Sequence, residues 1–473
     1  MIKRLLFLIL LTFQTIQISR AAYAAGGEMK VSYIGNNKYL VSLIANKLCG
    51  SMISFPSTTT LNVQFGKNGS CGTTTLTMGQ TSSREINAKC STATNCSNNN
   101  SITEYTYQCT ADLSSTTFSK PLSSGSCQEI TFYHNSFNHA FYLVAGGGCW
   151  DMFLTAATLY VGNLNRCKSK TNIEPVSVFD PSHQLPVYKT AVVAQGMVDT
   201  NEYDWLHFVQ MPSYANTPYS TTTCAYAKNK NYLQPLDPVC NPSTVTSCSY
   251  NGKANPVLGG FFDTLSGDFI FAPSTSGDYG VLSYHVNEYR RDTTGYWTLI
   301  CRYFKEVPLF AIDAPADNNN PTFSTLVGQP INLCVGTKYC NKVIQMNDIM
   351  AAPKQSKSDS LLTFTVKTVH GSPFNVYNPN TYTRAFEVCW TPTNADTSYV
   401  PYLIPIKVVD QHCSPPLEMS YTLQVRVYPI PQATNSVRYL GCNKIEIKTK
   451  NLDRKSTRLN SSHVSESRMP SSA

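Results

Sequence analysis

Residues 261–304 read FFDTLSGDFIFAPSTSGDYGVLSYHVNEYRRDTTGYWTLICRYF, with apolar residues at every second position through most of the run. Phe269 and Phe271 point one way before Ala272-Pro273 and Ser276-Gly277-Asp278 break the chain. Leu282, Tyr284 and Val286 then share a face. The residues from Arg290 to Gly295 turn back into Trp297, Leu299, Cys301 and Tyr303. A period of two belongs to an extended strand, whose side chains alternate between faces. The stretch therefore predicts three strands, each buried on one side only, as in an antiparallel β-sandwich. A fainter copy follows. Val388-Cys389-Trp390-Thr391-Pro392 echoes Ile270-Phe271-Ala272-Pro273, Val409-Asp410 echoes Asn287-Glu288, and Leu423, Val425 and Val427 echo the last strand. Pro273 and Pro392 lie 119 residues apart, about one sandwich domain. The expected fold class is all-β, built of tandem antiparallel sandwiches.

Composition sets the compartment. A chain of 473 residues predicts two to four domains; 14% of residues are charged and 28 are tyrosine, a balance that suits strand-rich extracellular domains. The formal charge of +8 is misleading. Lys3, Arg4 and Arg20 contribute +3 within the N-terminal leader and the last 21 residues a net +2, which leaves about +3 for the body. That is too little to argue for nucleic acid, and no basic patch carries interleaved aromatics. MIKRLLFLILLTF followed by Ala22-Tyr23-Ala24 has the layout of a signal peptide, too short in its apolar run to span a bilayer as a mature helix. A membrane anchor is the competing reading. Export makes the cysteines disulfide candidates.

The expected division is a signal peptide at 1–24, a Cys-rich sandwich at 25–170, a second sandwich at 171–312, a third at 313–431, the start of a fourth at 432–452 and an artefactual tail at 453–473. The seventeen cysteines then fall into even sets. The first unit holds Cys49, Cys71, Cys90, Cys96, Cys109, Cys127, Cys149 and Cys167. The second holds Cys224, Cys240, Cys248 and Cys301, the third Cys334, Cys340, Cys389 and Cys413, and Cys442 is left over. Even sets are what bridges within a domain require, and the absence of any Cys-x-x-Cys pair makes zinc the weaker alternative. Asn68, Asn95 and Asn99 open formal glycosylation sequons.

Two acidic stretches are candidates for Ca²⁺, which takes six to eight oxygens. Asp199, Asn201, Glu202 and Asp204 precede the apolar run Trp205–Val209, although the spacing completes no known loop motif. The segment Asp313 to Phe323 resembles the cadherin interdomain sequence, with Asp317, Asn319, Pro321 and Phe323 in place and Asn318 where that family has an aspartate. The resemblance implies calcium at Asp317 and Asn319; a plain Pro/Asn-rich linker is the other reading. No cofactor besides calcium is expected.

Two further stretches carry a wider resemblance. Gly26-Gly27-Glu28 with Tyr33 to Leu43 and Cys49, and Leu265-Ser266-Gly267 with Phe271-Ala272-Pro273, Gly277-Asp278-Tyr279 and Val286 to Arg290, resemble the first two domains of large secreted Bacteroidota proteins. Those carry PKD-like or Ig-like repeats and often a gliding-motility-associated sorting domain. Asn46-Lys47-Leu48 departs from that pattern, where an aromatic-basic-acidic triplet usually precedes Cys49. The resemblance implies export followed by display or release through a type IX system. Asp453 to His463 resembles a translated sequencing-library adapter, which implies a chain cut from a longer reading frame and Cys442 parted from its partner.

There is no Gly-x-Ser-x-Gly elbow, His-Glu-x-x-His, phosphate-cradling glycine loop or dinucleotide fingerprint. His134 and His139 read as surface polar residues. Glu288 and Asp410 occupy equivalent repeat positions near a strand end, where pairing with Arg290 or Arg302 and ligation of a metal are the two readings, and the repeat favours the structural role. The expected function is a secreted or cell-surface, non-enzymatic scaffold or adhesin touching extracellular proteins or glycans, with no nucleic acid and no membrane span in the mature chain. The alternative is the accessory region of a secreted polysaccharide- or peptide-degrading enzyme.

Overall fold

In a computed structural model, the described residues are 24–48, 55–86, 102–137, 153–169, 175–177, 183–199, 204–214, 217–218, 223–224, 226, 230–240, 248–313, 322–323, 331–336, 338, 343–347, 363–366, 374–377, 383–388, 390–409, 417–429, 433–441 and 444–451. They form an all-β chain. The first unit supplies β1 (Ala24–Gly35), β2 (Lys38–Leu48), β3 (Thr58–Phe65), β4 (Thr73–Ile86), β5 (Ile102–Asp112), β6 (Ile130–Phe137) and β7 (Phe153–Leu159). Then come β8 (Val176–Ser177), β9 (His183–Pro186), β10 (Ala191–Val193), β11 (Met197–Val198), β12 (Trp205–Gln210), β13 (Gly260–Phe262), β14 (Phe269–Phe271), β15 (Tyr279–Arg291) and β16 (Trp297–Ile312).

Strands alternate where a single face is covered. In β3, Thr59, Leu61, Val63 and Phe65 are buried while their neighbours are exposed or half-buried. Asn36 and Asn37 take the left-handed conformation that closes the β1–β2 hairpin, a geometry asparagine tolerates better than most residues.

The expected boundary at 170/171 does not separate two sheets. The order β1-β2-β5-β4-β3-β6-β7-β16-β15-β12 runs through both units. β16 makes this possible by its length. Its one edge is taken by β15; the other is shared by β7 at Cys301–Phe304, by β1 at Lys305–Glu306 and by β9 at Leu309–Ile312. Both ends of the seven-strand run β1 to β7 thus meet on one strand, and the sheet closes on itself around Val31, Val41, Leu43, Leu61, Val63, Tyr107, Phe132 and Leu159. Gly26 allows the closure: its φ is +136°, and a Cβ there would lie 2.6 Å from the Glu306 carbonyl oxygen.

One-sided burial fails for the central hairpin. β15 is buried on both faces from Gly280 to Glu288. Leu282, Tyr284 and Val286 join the main core, while the opposite face meets Ser213 and Tyr214. There Ser283 bonds Ser213 at 2.6 Å, and His285 Nε2 lies 3.0 Å from the Tyr214 hydroxyl. Ser283 and His285 Nε2 on that face therefore have protein partners. A bulge opposite Glu288–Tyr289 also shifts the β16 pattern, so Ile300 is buried while Leu299 is half-buried.

The third unit contributes β17 (Thr322–Phe323), β18 (Ile331–Cys334), β19 (Val343–Asn347), β20 (Thr363–Val366), β21 (Phe374–Tyr377), β22 (Thr383–Val388), β23 (Ser398–Val409) and β24 (Glu418–Tyr428). They pair as two four-stranded sheets, β17-β19-β22-β21 and β18-β24-β23-β20. β25 (Ala433–Gly441) and β26 (Lys444–Asn451) form a hairpin. Ser420, Thr422 and Gln424 share a face of β24, as a period of two requires, and that face meets the second unit. The Ala194 amide donates to Ser420 Oγ at 2.7 Å, Thr422 N and Oγ1 lie 2.9 and 2.7 Å from the Asp268 carboxyl oxygens, and Gln424 donates to Asp263 at 3.1 Å. Among the described residues no helix is long and apolar enough to cross a membrane.

Candidate functional site

Of the predicted calcium ligands, Asp199 and Asp204 lie among the described residues; Asn201, Glu202, Asp317 and Asn319 lie outside them. Asp199 and Asp204 flank the start of β12, and Glu288 reaches them from β15, so that one oxygen of each lies within 4.8 Å of the others. The sequence marked Glu288 as a residue able to ligate a metal but did not join it to this pair; cross-strand pairing does, since Leu206 sits opposite Glu288. Among the described residues, however, the cluster already has a cationic neighbour. Arg290 Nε lies 2.9 and 3.0 Å from the two Asp204 oxygens and Nη2 lies 2.5 Å from Oδ2, a two-pronged grip, while Nη1 donates to the Ser169 carbonyl at 3.2 Å. Asp199 accepts the Asp204 backbone N–H at 2.7 Å, and Glu288 accepts the Tyr303 hydroxyl at 2.9 Å. A guanidinium already supplies the positive charge that a metal would bring. The prediction at this cluster is an unfolding midpoint that is the same in excess EDTA and in millimolar Ca²⁺, read by differential scanning fluorimetry. A rise with Ca²⁺ that Asp199→Asn abolishes would place the ion there after all.

The cysteines divide differently from the even-set expectation. Cys71–Cys127 and Cys240–Cys248 are disulfides, with Cα separations of 5.9 and 5.6 Å, and Cys224 is also disulfide-bonded. Cys109, Cys167, Cys301 and Cys334 stand as thiols, a correction to their expected bridging. A bridge needs a second cysteine with its Cα within about 7 Å, and strand pairing sets other residues beside these four. Cys109 faces Val41, Cys301 lies between Leu159 and Glu288, Cys334 pairs with Tyr428, and Cys167 bridges to Asp292, so none has a cysteine as its ladder partner. Burial raises the Cys109 thiol to about 11, which keeps it protonated and unreactive at neutral pH. Cys49, Cys90, Cys96, Cys149, Cys340, Cys389, Cys413 and Cys442 lie outside the described residues, as do His139 and Asp410.

His134 corrects a second expectation. It is fully buried, its Nε2 is 2.8 Å from Thr59 Oγ1, and burial pulls its pKa to about 3, so it is a neutral core residue and not a surface one. Arg302 donates to Asn287 at 2.7 Å, and the Arg290 that was a candidate for Glu288 is committed to Asp204.

A second site was not foreseen. Where β1 meets β16, a cavity of about 100 Å³ opens between strands, walled by Ser177, His183 and Gln195 from the following segment. Its charges neutralise one another. Glu28 lies 3.0 Å from Lys30 and pairs with Lys305; Ser177 Oγ donates to it at 3.1 Å. Burial by itself would raise the Glu28 carboxyl, but the two lysines outweigh it and hold the pKa at about 2. The same burial draws Lys305 below the ordinary lysine range in spite of Glu28. At the mouth Arg84 grips Glu104 at 2.7 and 3.2 Å. His183 connects the wall to the third unit through Glu418 at 3.1 Å, which Lys407 also contacts at 2.8 Å.

Two carboxamides in this cavity are not served by protein. Asn46, wholly buried on β2, has neither its Nδ2 nor its Oδ1 hydrogen-bonded, and Gln195 Nε2 is likewise unbonded although its Oε1 accepts the Tyr284 hydroxyl at 2.8 Å. A buried polar atom left without a partner costs about 1–3 kcal/mol, so these groups call for a polar filler. The one sequence signal was Asn46 itself, a polar residue ending an otherwise apolar strand.

No family model matches the sequence, and no curated protein does. Among solved structures the chain is similar to the protocadherin γB4 extracellular domain (10% identity, 82% of this chain, TM-score 0.20) and to protocadherin γB2 extracellular cadherin domains 1–5 (9%, 76%, 0.18). It is also similar to the I67–I69 fragment of titin (9% identity, 85% of this chain and 98% of that one, TM-score 0.15). It spans 49% and 55% of the two protocadherin chains. The neighbours are built of cadherin or Ig sandwiches. The all-β assignment rests on the strand pairing described above, which these scores neither add to nor alter.

Proposed function

We propose that this chain is a secreted, non-enzymatic surface scaffold or adhesin whose β-sandwich units present contact residues to extracellular proteins or glycans. Its N-terminal leader and its resemblance to secreted Bacteroidota proteins with PKD-like and Ig-like repeats support export. The observation that carries the reading is the set of aromatic side chains exposed on braced turns. Tyr296 is 75% exposed and Tyr188 63%, and Tyr250 and Phe261 stack with centroids 5.1 Å apart at the surface. Tyr296 sits on a rigid tip: Asp292 Oδ1 accepts from Thr294 N at 2.9 Å, Thr294 Oγ1 at 2.6 Å and Tyr296 N at 3.0 Å. A held aromatic loses little conformational entropy on contact, and several such contacts on one chain add by avidity.

The test is adhesion of the immobilised chain to glycan arrays and to bacterial and host cell surfaces. Retention without turnover is expected, and the double substitution Tyr188→Ser/Tyr296→Ser should weaken it roughly tenfold with an unchanged melting curve. Hydrolysis of an arrayed glycan or peptide, or adhesion indifferent to both substitutions, overturns the reading.

A further inference from the structure

We infer that the cavity between β1, β2 and β16 binds the hydroxylated edge of one neutral sugar unit, held by Asn46 and Gln195. The inference rests on the reading of the chain as an extracellular binding scaffold and names what that scaffold would hold at this place.

Charge comes first. Glu28, Glu104 and Glu306 balance Lys30, Lys305 and Arg84 in number, so the lining carries no net formal charge to offer an ionic ligand. What remains is two N–H donor groups, on Asn46 and Gln195, and the carbonyl acceptor of Asn46, together with the acceptor Glu306 Oε1. A ligand that completes them must be neutral and must both donate and accept. Neighbouring hydroxyls on a sugar ring do this: one oxygen accepts from Asn46 Nδ2, the next donates to Oδ1, and freely rotating O–H bonds adapt to fixed amides. Ile44 and Val307 in the wall offer C–H surface to the ring.

Size limits the fit. An apolar cavity of about 150 Å³ takes benzene, so one of 100 Å³ takes about four to six heavy atoms, the edge of a ring and not an oligosaccharide. The remainder of the ligand would leave past Arg84, whose side chain is 63% exposed.

The experiment is saturation-transfer NMR on the full chain with glucose, galactose, mannose, fucose and N-acetylglucosamine, and with glucuronate as a charged control. At least one neutral sugar should bind, and glucuronate should not. Asn46→Leu should weaken that sugar roughly tenfold or more while leaving the melting midpoint unchanged or higher, because leucine fills the same volume without unbonded polar atoms. Gln195→Glu keeps the acceptor for Tyr284, removes the donor and should also weaken binding. The inference is overturned if no neutral sugar binds, in which case ordered water fills the cavity, or if binding survives Asn46→Leu. Adhesion that persists in a chain without sugar binding sinks this inference alone; a wild-type chain that adheres to nothing sinks the scaffold reading.

Discussion

Replacing Arg290 with methionine is expected to lower the unfolding free energy by about 3–5 kcal/mol, the usual result of stripping one partner from a buried ion pair. Arg290 and Asp204 are 7% and 8% exposed. Methionine keeps most of the packing volume but leaves the Asp204 carboxylate in a site that little water reaches, beside Asp199 and Glu288. The Ser169 carbonyl loses its donor as well, so the tie between the end of the first unit and the β12–β15 ladder goes with it. Urea denaturation at neutral pH measures the loss. The double substitution Arg290→Met/Asp204→Leu should recover a large part, since removing both charges abolishes the orphaned one. An unchanged midpoint for Arg290→Met would show that the pair is solvated in solution, and the account of the carboxylate cluster would fail.

The second large effect is a pH dependence at the junction with the third unit. Asp268 is 3% exposed, and burial raises its pKa from 3.8 to about 7, with Asp263 nearby adding to the rise and bonds from Thr422 and Ser266 opposing it. Between these two values the folded protein keeps a proton that the unfolded chain releases. The contribution of this group is therefore full below about pH 4, declines as pH rises, and is level again above about pH 7. The span is on the order of 4 kcal/mol, from a shift of about three pKa units at 1.36 kcal/mol each. Asp268→Asn should abolish that slope and, at pH 8, give a protein more stable than the parent. It keeps an acceptor for the Thr422 amide and a neutral group in the same place. Stability curves for the two proteins that run parallel from pH 4 to pH 8 would rule the account out.

The two predictions differ in how far the sequence could have anticipated them. Asp204 was marked as a polar residue ahead of an apolar strand, but its role was read as that of a metal ligand. A cation was indeed required; the fold provides it as Arg290, across two strands. Asp268 gave no signal at all, since a Gly-Asp pair in a turn is ordinary, and its burial comes from β24 lying against it. The same holds for the cysteines. An even count within each interval is compatible with bridging but does not bring sulfurs together, and strand register left four of them opposite other residues.

What the sequence determined by itself is local: extended strands over residues 279–288 and 297–303, which the fold prolongs to Arg291 and Ile312, the asparagine turn at residues 36–37, and an all-β chain. These follow from side-chain alternation and from the few residues that tolerate a left-handed backbone, properties that each short segment carries wherever it is placed. The tertiary structure alone decided that β1 and β7 share an edge of β16, that β15 is covered on both faces, and that Asn46 is buried beside a polar cavity. Those outcomes depend on which distant segments exclude water from one another, and a pattern read along one strand does not contain the identity of what will cover it.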